Sequence, residues 1–243
     1  MKLAIAIPTL NEKDNIKPLV VSIFEECKNT KNYTFTILFI DDQSSDGTLK
    51  VIKRMAKIFN YPDFKIIYIS RKPNNGLAGA YKEGITSLLN SDYDYIIQMD
   101  ADLSHNPKYL RNFIVTSKNH INFVLGSRYI VGGSTPDWST HRRLLSVLGN
   151  YYSRLLLGNK ITDYTGGFNM YSSNLLRKIN LDTIKSTGYG FLIELKHKAT
   201  LNTSSIFEFP IIFSDRVNGK SKIPKNIILK NLVLVLRLRF FKD

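Results

Sequence analysis

The sequence predicts an α/β fold, with a mostly parallel sheet flanked by helices on both faces. Three observations carry that prediction. Short β-branched apolar runs recur through the first half of the chain. Segments of helical length, mixing polar and apolar residues, separate them. Strand and helix alternate at the spacing of βαβ units, which builds parallel sheets. The composition agrees: of 243 residues, 43% are hydrophobic and 22% charged, which excludes a disordered chain and allows a sizeable core.

The elements follow in order. Leu3–Ile7 reads as the first buried strand and Ile16–Cys27 as the helix after it. Thr36–Ile40 is the second strand and Thr48–Phe59 the second helix, with Asp46 placed to cap it. Ile66–Ile69 and Tyr95–Met99 read as strands on either side of a helix over Leu77–Leu89. Pro107–Ser117 is helical, with Pro107 in its first turn, and Phe123–Leu125 is a fifth strand. The rhythm then changes. Gly132–Pro136 is a loop, Arg142–Leu157 and Tyr189–Thr200 read as helices, and Asp163–Tyr171 and Ser205–Phe213 as strand-like runs. We read one domain, residues 1–223, and a basic, apolar-rich tail over 224–243.

Several function classes fall away at once. The single cysteine, Cys27, excludes a disulfide framework and a zinc site built on several cysteines, and it fits a reducing compartment. Met1–Glu12 does not read as a secretory signal, because its apolar run stops at Pro8. No uncharged apolar stretch approaches the ~18 residues of a membrane-spanning helix. The expectation is a soluble protein or one seated on a membrane surface. The net charge of +14 is uneven: residues 1–100 carry 13 Lys/Arg against 12 Asp/Glu, residues 101–243 carry 21 against 8. Nucleic acid, anionic lipid and a phosphorylated substrate are the candidate partners of that basic half.

In an open parallel sheet, ligands bind beyond the carboxyl ends of the strands. The residues there are Pro8-Thr9-Leu10-Asn11-Glu12, then Asp41-Asp42-Gln43-Ser44-Ser45-Asp46-Gly47-Thr48, then Asp100-Ala101-Asp102-Leu103-Ser104-His105, then Gly126-Ser127-Arg128. Three strand ends supply carboxylates and a fourth supplies an arginine. Clustered carboxylates repel unless a cation or a donor-rich ligand sits among them. Asp100 and Asp102, one residue apart where a strand ends, can turn toward one hard divalent ion that keeps positions open for a diphosphate. His105 reads as a metal ligand or as a solvent-facing residue, and Trp138 as a stacking platform or a loop anchor.

These stretches resemble family 2 glycosyltransferases of the GT-A fold, a Rossmann-like sheet, and within them the dolichol-phosphate (polyprenyl-phosphate) mannosyltransferases. The resemblance rests on the three strand-end motifs, Gly126-Ser127-Arg128-Tyr129, Gly132-Gly133, Trp138, Arg142, Asp163-Tyr164-Thr165-Gly166-Gly167-Phe168, Gly188-Tyr189, Asp215-Arg216 and Gly219-Lys220-Ser221-Lys222. It implies a nucleotide-sugar site formed by Pro8, Leu10, Glu12, Ile40, Asp42, Asp100, Ala101, Asp102, Arg128, Arg216 and Lys222. Leu10 stands where relatives often carry tyrosine. The resemblance also implies Mg²⁺ or Mn²⁺ held by Asp102, with Ser104 at a position where some relatives have glutamine. Arg128, Arg142 and Ser146 would hold the acceptor phosphate, and Asp100, Asp102 and Arg128 would carry catalysis.

The implied reaction is inverting transfer of mannose from GDP-mannose to dolichyl or polyprenyl phosphate. UDP-glucose or another nucleotide sugar is the alternative donor. A phosphate monoester is already anionic and needs no general base. Accordingly the carboxylates of the middle region, Asp137, Asp163 and Asp182, are not expected to include an essential base, and Asp163 is expected to fix the Asp-Tyr-Thr-Gly loop. Two readings from other classes are an Asp-dependent phosphohydrolase and an inactive nucleotide-sugar-binding module. The Asp pair follows the fourth strand rather than the first, which disfavours the phosphohydrolase. The implied partners are the nucleotide sugar, the lipid phosphate, a membrane surface and a membrane-anchoring subunit, with no nucleic acid. The implied location is the cytosolic face of a membrane. The tail, interrupted by Lys230, Arg237 and Arg239, reads as an interfacial helix or as a last helix packed on the sheet.

Overall fold

A computed structural model describes residues 1–72, 76–215 and 227–241. Arg216, Lys222, the Gly219–Lys222 motif and the 223/224 boundary lie outside the described residues. The strands are β1 (Lys2–Thr9), β2 (Thr34–Asp41), β3 (Phe64–Ser70), β4 (Tyr95–Gln98), β5 (Phe123–Ser127), β6 (Asn169–Ser172) and β7 (Ile206–Pro210). The helices are α1 (Lys13–Cys27), α2 (Thr48–Ile58), α3 (Gly76–Leu89), α4 (Leu110–Lys118), α5 (Thr140–Leu157), α6 (Ser173–Lys178), α7 (Gly190–Asn202) and α8 (Ile227–Phe240).

All seven strands form one sheet in the order β3-β2-β1-β4-β6-β5-β7. β1, β2, β3 and β4 pair in parallel, as do β5 and β7. β6 departs from the fully parallel pattern of the first half: it runs antiparallel to both β4 and β5 and lies between them.

Side-chain alternation explains why the sheet is covered twice. On β1, Leu3, Ile5 and Ile7 join the core under α1, α2 and α4, whereas Ala4 and Ala6 join the core under α3, α6 and α7. β2 and β4 repeat the division, with Ile37 and Ile97 on the first face and Leu38 and Ile96 on the second. Strands buried on both faces need near-continuous apolar runs, which is what made them legible in the sequence.

The order reverses beside β1, since β2 and β3 lie on one side of it and β4 on the other. The carboxyl ends of β1, β2 and β4 therefore open around one crevice, the position where open α/β sheets take ligands. The tail is helical: α8 packs against α5 and α7. No helix among the described residues is long and apolar enough to cross a membrane.

Candidate active site

Each of the three strand-end loops contains one non-glycine residue in the left-handed region: Asn11 (φ 55°), Gln43 (φ 53°) and Leu103 (φ 65°). Such residues are uncommon and concentrate where a side chain must be aimed. The loops after β1 and β2 are tied together. Asn11 N donates to Ser44 Oγ at 2.9 Å, and Ser45 N donates to Asn11 Oδ1 at 2.9 Å.

The acids of the β2 loop divide their tasks. Asp41 is fully buried and accepts from Ser44 N (3.1 Å), Ser44 Oγ (2.6 Å) and Thr9 Oγ1 (3.2 Å), so it shapes the loop. Asp46 accepts from Thr48 N (2.9 Å), Thr48 Oγ1 (2.6 Å) and Lys13 N (3.0 Å), so it serves the starts of both α2 and α1. Burial opposes its charge, but those hydrogen bonds prevail and hold its carboxyl below the usual range. Asp42 is the acid that reaches the crevice. Arg71 Nη1 donates to it at 2.6 Å, while Arg71 Nε donates to Glu83 at 2.8 Å. Burial pushes Asp42 upward against the pull of Arg71.

The Asp100–His105 loop is built from its own side chains. Ser104 donates to Asp102 Oδ1 through both Oγ (2.6 Å) and N (3.1 Å), a turn that the left-handed Leu103 permits. Asp100 N donates to His105 Nδ1 at 3.0 Å. The solvent-facing reading of His105 is corrected here: the ring is 2% exposed and stacks on Phe168 at 4.8 Å. Burial lowers its pKa to about 4, so the imidazole is neutral and braces the loop from beneath.

Two cavities meet at this loop. The first, about 600 Å³, is lined by Pro8, Leu10, Glu12, Asp42, Asp100, Ala101 and Asp102, together with the Lys185–Gly190 segment and Lys230, Leu234 and Arg237 of α8. The second, about 450 Å³, shares Asp100, Asp102, Tyr189 and Asn231 with the first. Its head holds Arg128, Arg142 and Ser146, with Asp100, Asp102 and Asp215 beside them. Its body is apolar, with Leu145, Leu192, Ile193, Ile228, Leu232 and Val235 contributed by α5, α7 and α8. Ile40 lines neither cavity, because its side chain is fully buried beneath α3.

The cations of the second cavity are held in different ways. Arg128 makes a buried ion pair with Asp163, Nε to Oδ2 at 2.7 Å and Nη2 to Oδ1 at 2.8 Å, and Nη2 also donates to Thr165 Oγ1 at 2.8 Å. Asp163 further accepts from the backbone N–H groups of Gly166 (2.8 Å), Thr165 (3.2 Å) and Arg128 itself (3.3 Å). It does fix its loop, as expected, and it also orients Arg128, which the sequence did not reveal. Burial alone would raise the Asp163 pKa; Arg128, Lys196 and these donors hold it well below the carboxylate range. Lys196 is fully buried and donates to the Asp163 carbonyl at 2.6 Å, and burial lowers its pKa to about 8. Arg142 pairs with Asp215 at 2.9 Å and lies 4.0 Å over the Trp138 ring. Trp138 is 9% exposed and packs edge-on against Phe213, so it anchors the loop while lining the cavity. Gly133 lets that loop close on β5: a Cβ there would stand 2.7 Å from the Arg128 carbonyl carbon and the Ser127 oxygen. Ser146 Oγ accepts from Tyr129 Oη at 2.6 Å.

Lys185, Lys230 and Arg237 are the lining cations that motif reading missed. Lys230 and Arg237 stand seven residues apart on α8, which puts them on one flank of a helix, and that spacing was the available signal.

A crevice at the strand ends of a Rossmann-like sheet, with an Asp-x-Asp loop where two cavities meet, defines a sugar transferase of the GT-A class. The chain belongs to glycosyl transferase family 2, whose model matches residues 4–179. It is 33% identical over 237 residues to an undecaprenyl-phosphate mannosyltransferase of Micrococcus luteus, covering 98% of this chain and 93% of that one. It is 36% identical over 219 residues to a polyprenol monophosphomannose synthase of Mycolicibacterium smegmatis, covering 90% and 80%. Among solved structures, a mannosyltransferase from Pyrobaculum calidifontis in complex with GDP-Man and Mn²⁺ superposes with a TM-score of 0.62 at 16% identity, covering 100% of this chain and 64% of that one. Glucosyl-3-phosphoglycerate synthase from Mycobacterium tuberculosis, bound to Mn²⁺, UDP and glucosyl-3-phosphoglycerate, gives 0.64 at 17% identity, covering 98% and 79%. At these identities the structural likeness establishes the fold.

Proposed function

We propose that this glycosyltransferase moves mannose from GDP-mannose to a polyprenyl or dolichyl phosphate with inversion, giving a β-linked product. The second cavity carries the reading. A head that presents two arginines over an apolar body is shaped for a lipid phosphate rather than for a free sugar or a nucleotide. The relatives, named an undecaprenyl-phosphate mannosyltransferase and a polyprenol monophosphomannose synthase, support the mannose and the lipid phosphate.

In this scheme Pro8, Leu10, Glu12 and Asp42 take the nucleotide, and Asp100, Ala101 and Asp102 meet the diphosphate and sugar. Arg216 and Lys222 are further phosphate contacts carried over from the resemblance. An acceptor phosphate oxygen attacks C1 of mannose as the bond from C1 to the GDP oxygen breaks, and GDP departs with that electron pair. No proton need be removed from the acceptor. Arg128 and Arg142 offset the charge of the two phosphate groups brought together, and arginine suits such contacts because it can donate two parallel hydrogen bonds. Asp163 keeps Arg128 aimed, Asp215 pairs with Arg142, and His105 braces the Asp100 backbone.

The donor set fits a hard divalent cation only in part. Among the described residues no cluster of three or more His, Cys, Asp or Glu side chains is placed to hold a metal. Asp102 offers an oxygen where the two cavities meet, the incomplete shell expected of an ion that also binds a diphosphate, whereas Ser104, expected beside it, is 2% exposed, lines neither cavity and turns its hydroxyl to Asp102 Oδ1. Mg²⁺ or Mn²⁺ there would supply Lewis-acid stabilisation of the departing diphosphate.

A lipid acceptor has to be met at a bilayer. We place the protein peripherally on the cytosolic face, with α8 in the interface and an anchoring subunit as an optional further partner. The test is transfer of radiolabel to polyprenyl phosphate from GDP-mannose and from UDP-glucose, each with and without Mn²⁺. Metal-dependent transfer from GDP-mannose is expected. Preferential transfer from UDP-glucose would overturn the donor assignment.

A further inference from the structure

Helix α8 presents three surfaces at once. Asn231, Leu234, Val235 and Leu238 form its inner ridge, and Val235 is the only one of them fully buried. Gly190 makes room for that ridge: a Cβ there would lie 2.9 Å from Leu234 Cδ2. Lys230 and Arg237 occupy a flank and line the first cavity. On the outside, Leu229, Val233, Leu236 and Phe240 follow a four-three-four spacing and are 42–67% exposed, Val233 among them also lining the first cavity.

The neighbouring helix repeats this outer pattern. On α5, Leu144, Leu148, Tyr151 and Leu155 have the same four-three-four spacing and are 53–71% exposed. Tyr152 Oη links the two helices by donating to the Leu232 carbonyl at 3.2 Å. Neither helix contains an Asp or Glu, while α5 carries Arg142, Arg143 and Arg154, and α8 carries Lys230, Arg237 and Arg239. Exposed apolar stripes flanked by cations without acids match an anionic lipid surface in both polarity and charge.

A helix with one fully buried side chain among those described is held weakly, since little apolar surface secures it. Yet it walls both cavities. Any second contact that α8 makes only when seated therefore shifts the cavities toward their complete form.

We propose that α5 and α8 dock together on anionic bilayers, and that docking and nucleotide binding strengthen one another through α8. This rests on assigning the first cavity to the donor. The outer stripe meets lipid, the flank brings Lys230 and Arg237 to the diphosphate, and reciprocity follows from linkage: whatever factor lipid adds to nucleotide affinity, nucleotide adds to lipid affinity.

The experiment measures GDP binding by equilibrium dialysis on the full chain. It is run alone, with phosphatidylcholine vesicles, and with vesicles that also contain phosphatidylglycerol. The anionic vesicles are expected to tighten GDP binding by about fivefold or more, the lower end of ordinary coupling. GDP should tighten vesicle partitioning by the same factor. Leu229→Ser with Leu236→Ser, or Leu144→Ser with Leu148→Ser, should abolish the lipid effect and leave GDP affinity in free solution unchanged. Lys230→Ala with Arg237→Ala should remove the response of GDP affinity to vesicles. Vesicle adsorption with unchanged GDP affinity overturns the coupling and leaves the donor cavity assignment standing. Absence of GDP binding in every condition overturns both.

Discussion

Replacing Asp163 by Asn removes one charge and changes almost nothing in volume. In the native protein this carboxylate is fully buried and accepts six hydrogen bonds, two of them from the Arg128 guanidinium at 2.7 and 2.8 Å. An Asn amide nitrogen cannot accept, so one oxygen position would face donors with a donor, and Arg128 would remain buried without its counter-charge. Breaking one side of a buried ion pair costs about 3–5 kcal/mol. That is a large share of the roughly 5–15 kcal/mol that holds an ordinary domain folded. The assay is urea unfolding at pH 7, followed by the fluorescence of the only tryptophan, Trp138, whose ring lies 5.3 Å from the Arg128 guanidinium carbon. Adding Arg128→Met should restore part of the loss, because the stranded charge disappears with it. The acid limb supplies a second readout. The Asp163 pKa is depressed in the folded state, so its contribution is present above the unfolded value of about 3.9 and is lost as pH falls through the folded value. The variant should lack that part of the slope. A loss below about 1 kcal/mol, with no rescue by the second substitution, would refute the buried-pair argument.

Further outcomes follow from other groups. Asp102→Ala should abolish transfer while leaving the protein folded at a cost of about 1–3 kcal/mol, since the buried Ser104 N–H and hydroxyl lose their acceptor, checked by product assay beside urea unfolding. Ser104→Ala should lower transfer less, because the Ser104 backbone N–H still donates to Asp102. Lys196 is lowered by burial to about 8, so between about pH 8 and its unfolded value near 10.4 the unfolded chain binds more protons. Stability should rise there by at most about 1.4 kcal/mol per pH unit, and Lys196→Met should flatten the rise in unfolding free energy against pH. Gly133→Ala should destabilise by about 1–3 kcal/mol in the same unfolding assay, since the added methyl meets β5 backbone that cannot yield.

The parallel strands and their helices were legible because burial on both faces leaves a strong local pattern. The antiparallel course of β6 was not, because direction depends on pairing with β4 and β5, which no local run encodes. At the site, Asp46 left a local signal, although Gly47 is the N-cap of α2 and Asp46, one residue earlier, accepts from Thr48 N and Oγ1; Ser104, expected to serve a metal, instead gives its hydroxyl to Asp102. Contacts between distant segments left none. Arg128 meets Asp163 across 35 residues, and Asp42 meets Arg71 across 29. His105 looked exposed because it follows a turn, yet Phe168, brought in by the chain leading to β6, covers it. In sequence the tail reads as an interfacial helix or as a last helix packed on the sheet, and only the folded chain brings its Lys230–Arg237 flank to the first cavity.

The central claim is that the acceptor is a phosphate already charged when it enters an apolar-bodied cavity that presents Arg128 and Arg142 at its head. The most direct measurement offers radiolabelled GDP-mannose and divalent metal with either polyprenyl phosphate or the matching free polyprenol, and counts label in the lipid. Transfer to the phosphate alone is expected, because the polyprenol hydroxyl would need a base that Asp163, locked to Arg128, does not provide. Equal labelling of the free polyprenol would contradict the account.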